Sequence, residues 1–121
     1  MAIFSRDMSW VEDDEMKDLL RAKARRDELH ICLPTRILLS DDLQKEGAHI
    51  HVYPQLNYTP LSRFTIINKG RSDAQLAVGR AIEGKHLIEE FSLGEHPAFF
   101  IADDLIEVVM RLGQTVRTAA R

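Results

Sequence analysis

The stretch that decides the fold is Glu28–Tyr53, ELHICLPTRILLSDDLQKEGAHIHVY. Glu28–Leu33 is a short β-rich run closed by Pro34. Ala48–Tyr53 alternates small or polar residues with larger apolar ones, the period of a strand. Between them Arg36–Glu46 has the pattern of a short helix, and Gly47 stands where a C′ glycine ends one. A strand, a helix and a strand at this spacing require parallel strands joined by a crossover.

Upstream, Ser9-Trp10-Val11-Glu12 has the spacing of a capping box, in which the serine hydroxyl bonds the amide three residues on. Acidic residues follow in the next turn and basic ones (Arg21, Lys23, Arg25, Arg26) close it, matching a helix dipole. The pattern predicts a helix over Trp10–Asp27, after a short strand at Ile3–Ser5. Downstream, Pro54 and Pro60 bracket a loop. Strands are then expected at Ser62–Asn68, Ala74–Ile82 and His86–Phe91, separated by turns at Gly70 and Glu83-Gly84. Pro97–Leu112 carries Phe100, Leu105, Ile106, Val108, Val109 and Leu112 at helical spacing. Gly113 is expected to end that helix, and the tail from about residue 114 to fray. The order predicts an α/β (α+β) chain with a mixed sheet flanked by helices, its later strands antiparallel.

At 121 residues the chain has the size of one domain, 1–121. Apolar residues make up 45% and charged residues 29%, which excludes a disordered or collagenous chain. The net charge of −3 argues against a protein dedicated to wrapping DNA. The single cysteine, Cys32, has no internal disulfide partner and fits a reducing cytoplasm. The N-terminus lacks a signal-peptide core, and no apolar run is long enough to cross a bilayer. A cytoplasmic protein without membrane contact is the expectation.

Beyond composition, the order of motifs resembles one half-domain of the phospholipase D-like superfamily. Asp42-Leu43-Gln44-Lys45-Glu46-Gly47-Ala48, then His51-Val52-Tyr53-Pro54, is similar to that family's leading helix and strand. The family's catalytic strand carries His-x-Lys-x4-Asp. Here the corresponding segment reads Leu61-Ser62-Arg63-Phe64-Thr65-Ile66-Ile67-Asn68-Lys69-Gly70. Leu61 takes the histidine place, Arg63 the lysine place and Asn68 the aspartate place. Ala77-Val78-Gly79-Arg80 stands at the family's Gly-Ser turn, with Arg80 in place of the serine. The likeness runs from Glu28 to Leu112.

The resemblance implies a histidine nucleophile acting on a phosphodiester, usually from two facing half-domains. Leucine has no lone pair and can neither attack phosphorus nor move a proton. Asn68 lacks the charge that would hold an imidazole tautomer. Arg63 keeps the one surviving capacity, because a guanidinium binds phosphate through its planar fork. The expected chain is therefore a degenerate, non-catalytic module of regulation or protein interaction, homodimeric, with no catalytic residue, cofactor or metal. Arg63, Arg71 and Arg80 are the candidate anion-binding residues, with Lys69 nearby. A dimer has its own motive, since a half-domain leaves a sheet edge and the degenerate strand uncovered.

Other constellations define the competing readings. His49 and His51 share one strand face, but zinc needs a third and usually a fourth ligand, and no paired His or Cys motif supplies them. His86 and Glu90 share a face, with His96 beyond a turn, which is the minimum for acid–base work in a hydrolase of another kind. Against that, Glu90 reads as a solvated edge residue and His96 as a helix cap. Cys32 between Ile31 and Leu33 reads as a buried apolar side chain. A nucleic-acid-binding accessory protein would use Arg63, Arg71 and Arg80, but aromatics, at 7%, are too few for a base-stacking platform.

Overall fold

The computed structural model describes residues 1–53, 60 and 62–119, and of residues 80–82, 86 and 113–119 the backbone alone. Leu61 and the loop between Tyr53 and Pro60 fall outside it. In chain order the elements are β1 (Ala2–Phe4), α1 (Asp14–Arg25), β2 (His30–Leu33), α2 (Leu38–Glu46), β3 (His49–Val52), β4 (Arg63–Ile67), β5 (Gln75–Ile82), β6 (Lys85–Ser92) and α3 (Pro97–Ala119). The strands form one mixed sheet in the order β3-β2-β1-β4-β5-β6. β1, β2 and β3 run parallel, while β4 lies antiparallel to β1 and leads the antiparallel meander β4-β5-β6. The α/β class expected from the sequence is the class observed.

Strand alternation sorts the core into two layers. Ile3, Ile31, Leu33 and Ile50 point to one face and pack with Leu20 and Ala24 of α1 and Leu43 of α2. Ala2, Phe4, Cys32, Phe64, Ile66 and Leu76 point to the other and pack with Phe99, Ala102, Ile106 and Val109 of α3. The parallel half of the sheet is thus covered on both faces, as βαβ units require.

Most boundaries shift from the sequence expectation by a residue or two, and two helix ends shift further. Ser9 does not cap α1; the cap is Asp13, whose carboxylate accepts from the Met16 amide at 2.7 Å. Residues before Asp13 instead form a loop folded around buried Ser5, whose Oγ accepts from the Met8 amide at 3.0 Å and from Trp10 Nε1 at 3.4 Å. Asp13 offers the same three-residue reach as a serine, and the loop keeps Val11 buried. At the other end, α3 does not stop at Gly113 but continues to Ala119. A glycine inside a helix costs about 1 kcal/mol without ending it when no proline follows. Gly47 does close α2, donating to the carbonyls of Leu43 and Gln44 with φ at 120°.

Candidate functional site

The meander β4-β5-β6 is where the structure leaves the sheet open. On the face shared with α1 and α2, its residues are Arg63, Thr65 and Ile67, then Gln75, Ala77 and Gly79, then Ile88 and Glu90, and none is buried. Ile88 is 71% exposed. Among the described residues no helix covers this half, because α1 and α2 arise from crossovers that lie over β1, β2 and β3. The Ser9–Met16 segment borders the opening and turns it into a groove of about 540 Å³, within the range of small-molecule sites.

Arg63 lies on the groove floor beside Thr65, Ala77 and Gly79, walled by Trp10 and Met16 on one side and Leu87 and Ile88 on the other. Arg63 and Gly79 are direct partners across β4 and β5. A Cβ placed on Gly79 would meet Arg63 Nε at 3.5 Å and Cγ at 3.7 Å, so the arginine stem lies flat across the glycine. A Cβ at position 79 would rest on that stem in ordinary van der Waals contact. Glu12 brings one carboxylate to the lining and Ser9 one hydroxyl. Asp7 is held below the usual carboxylate range, chiefly by hydrogen bonds from Ser9, with the charges of Arg6 and Arg63 adding to the effect. Among the described lining residues Arg63 is the cation and Glu12 the carboxylate, and a guanidinium between apolar walls suits an anion carried on an apolar body.

The remaining sequence candidates disperse. Arg71 stands in the β4–β5 turn, at the opposite end of β4 from Arg63, and pairs with Asp73 at 3.3 Å. Asn68 occupies the same turn at φ 54°, a left-handed position that asparagine tolerates, and donates to Asp73 at 3.3 Å. Lys69 clamps α3 through Asp103 at 3.0 Å and Glu107 at 2.6 Å. Arg80 follows Gly79 on β5, and its side chain, like that of His86 and all of Leu61, lies outside the described residues. Arg21, Lys23 and Arg25 pair locally with Asp18, Glu28 and Glu46. Glu90 is exposed, whereas His96 packs on Phe91, which points to the other sheet face, so the two do not meet. His96 Nδ1 accepts from the Ala98 amide at 3.0 Å, the capping role expected of it.

His49 and His51 share a face as the spacing predicts, and the parallel register adds a third ring. His30 on β2 is the direct partner of His49. It stacks on His49 at 4.6 Å and on His51 at 5.4 Å, and His30 Nδ1 lies 3.1 Å from His51 Nε2. His49 Nε2 also contacts Asp27. Stacked rings direct their lone pairs in parallel planes. Among the described residues no three His, Cys, Asp or Glu groups converge to hold a metal ion. Cys32 is fully buried, and burial pushes its thiol up to about 12.

No family model, curated protein or solved structure matches the chain. The site is therefore read from its own geometry. Among the described residues, no helix is long and apolar enough to cross a membrane. Sequence reading identified Arg63 and missed Trp10, Met16, Leu87 and Ile88. The sequence pattern puts Trp10 inside a helix, whereas the structure puts it in the bordering loop. Leu87 and Ile88 carried no signal beyond strand propensity.

Proposed function

We propose that the chain is a non-catalytic, phospholipase D-like module of regulation or protein interaction, homodimeric, which holds an anionic group at Arg63. The observation that supports this reading most is the groove itself. A guanidinium stretched over Gly79 lies at the floor of an uncovered half-sheet, with apolar walls on both sides. Leucine at the family's nucleophile place argues for binding without hydrolysis. The best-suited ligand is a phosphate or carboxylate joined to an apolar group, its charge on Arg63 and its body against Trp10 and Ile88. Two surfaces carry exposed apolar side chains that a second copy would cover: the half-sheet at Ile67 and Ile88, and the outer side of α3.

Trp10 is the only tryptophan and lines the groove, so its fluorescence reports on binding directly. Titration with inorganic phosphate and with phenyl phosphate should give a saturable change, tighter for the phenyl ester. Arg63→Ala should weaken both by at least about tenfold, the scale of one charge-assisted hydrogen bond. Equal affinity in the Arg63→Ala chain would overturn the reading. Retention on heparin with a steep salt dependence would favour the nucleic-acid alternative, and turnover of bis(p-nitrophenyl) phosphate would favour a hydrolase.

A further inference from the structure

Helix α3 carries two apolar stripes. Phe99, Ala102, Ile106 and Val109, at spacings of three, four and three, are buried against the sheet. Ile101, Leu105, Val108 and Leu112 follow at spacings of four, three and four, and this second stripe faces outward. Ile101 is 69% exposed, Val108 54% and Leu112 45%, while Leu105 is half-buried between the two stripes. An alternation of three and four is the seven-residue repeat by which one helix seats against another, and a helix with a single partner layer does not need it twice. At about 100° per residue the polar positions Asp103, Asp104, Glu107 and Arg111 occupy a separate arc.

The charges beside the outer stripe name the occupant. Asp104 immediately precedes Leu105, and Arg111 immediately precedes Leu112, so both hold the same position of the repeat with opposite sign. Both are exposed; Arg111 also reaches back to Glu107 at 3.4 Å. When two such helices lie antiparallel about a two-fold axis, Ile101 meets Leu112 of the other copy and Leu105 meets Val108. Asp104 of each then flanks Arg111 of the other, twice by symmetry. A parallel pair forms neither contact. We infer that the outer stripe of α3 is an isologous interface, on which α3 of a second copy packs antiparallel with Asp104 against the other copy's Arg111. This rests on the homodimer reading and assigns its surface, which leaves the Arg63 groove open to ligand.

Light scattering over a wide concentration range, with circular dichroism as the check on folding, tests it. The wild-type chain should dimerise, and Val108→Asp should be a folded monomer. Asp104→Arg and Arg111→Asp should each weaken the dimer by at least about tenfold, as like charges meet across the seam. A mixture of these two variants should restore pairing as a heterodimer, because arginines at 104 and 111 then face aspartates at 111 and 104. A dimer that survives Val108→Asp but is dispersed by Ile88→Asp overturns this surface and leaves the homodimer reading standing. Failure of the mixture to pair overturns the antiparallel arrangement. A wild-type monomer at every concentration overturns both.

Discussion

His30 Nδ1 and His51 Nε2 lie 3.1 Å apart on adjacent parallel strands, so one proton serves two ring nitrogens. Protonating both rings would set two N–H groups against each other. Burial is the largest cause that holds His30 below the ordinary histidine range, followed by His49 and the N-terminal ammonium; Asp27 opposes them and Lys69 adds to them.

The consequence is a stability that depends on pH with a defined sign. His30 has a lower pKa folded than unfolded, so the unfolded chain binds the proton first as pH falls. Its contribution is fully present above about pH 6.5 and is lost as pH drops through that value toward the folded pKa. Urea midpoints at about pH 7.5 and about pH 5.5 should show the folded state weaker at the lower value. His30→Gln should flatten this difference. An unchanged difference in the variant would assign it to other groups.

Cys32 should resist modification. With its thiol fully buried and pushed up to about 12, a thiol reagent near neutral pH should label it only as fast as the chain unfolds. Adding urea should raise the labelling rate sharply, and rapid labelling of the folded chain would contradict the packing around β2.

Gly47 should be intolerant of any side chain. Its φ is 120°, and a Cβ there would stand 2.5 Å from the Ala24 carbonyl oxygen, a backbone atom of α1 that cannot swing away. Gly47→Ala should therefore cost about 1–3 kcal/mol, read from the shift in the denaturation midpoint. A loss below a few tenths would mean that α1 and α2 separate freely.

The two sides of α3 should respond differently to truncation. Ile106 is fully buried between α3 and the sheet, so Ile106→Ala should cost about 2–5 kcal/mol. Val108→Ala, on the outer stripe, should change the stability of the isolated chain by no more than about 0.5 kcal/mol. Breaking the Lys69 clamp with Lys69→Met should cost about 1 kcal/mol, since both carboxylates are partly solvated.

The alternating run at His49–Val52 and the glycine after Glu46 were sufficient to read β2-α2-β3, because strand period and helix termination are local properties of the backbone. The antiparallel meander was readable for the same reason, its turns marked at Gly70 and Gly84. Ser9 misled because a capping-box spacing does not by itself place a helix start, and Asp13 caps the Met16 amide four residues later with Val11 left free to bury. Gly113 misled because a glycine permits an end to a helix without compelling one. For the site, Arg63 was found from its place in a motif. Its partners on the groove wall were not, since Trp10 and Ile88 are distant in sequence and come to line one groove only when β1 is inserted between β2 and β4.

Sequence alone determined the identity of the elements, the absence of a histidine at position 61 and the opposite charges at 104 and 111, each being a matter of neighbouring residues and their side-chain chemistry. Tertiary structure decided which strand faces which, and so created what the chain can use. The crossovers put α1 and α2 over one half of the sheet and left the other half open at Arg63. The parallel register placed His30 against His49. Such pairings join residues far apart along the chain, and their geometry follows from packing the whole sheet rather than from any segment of it.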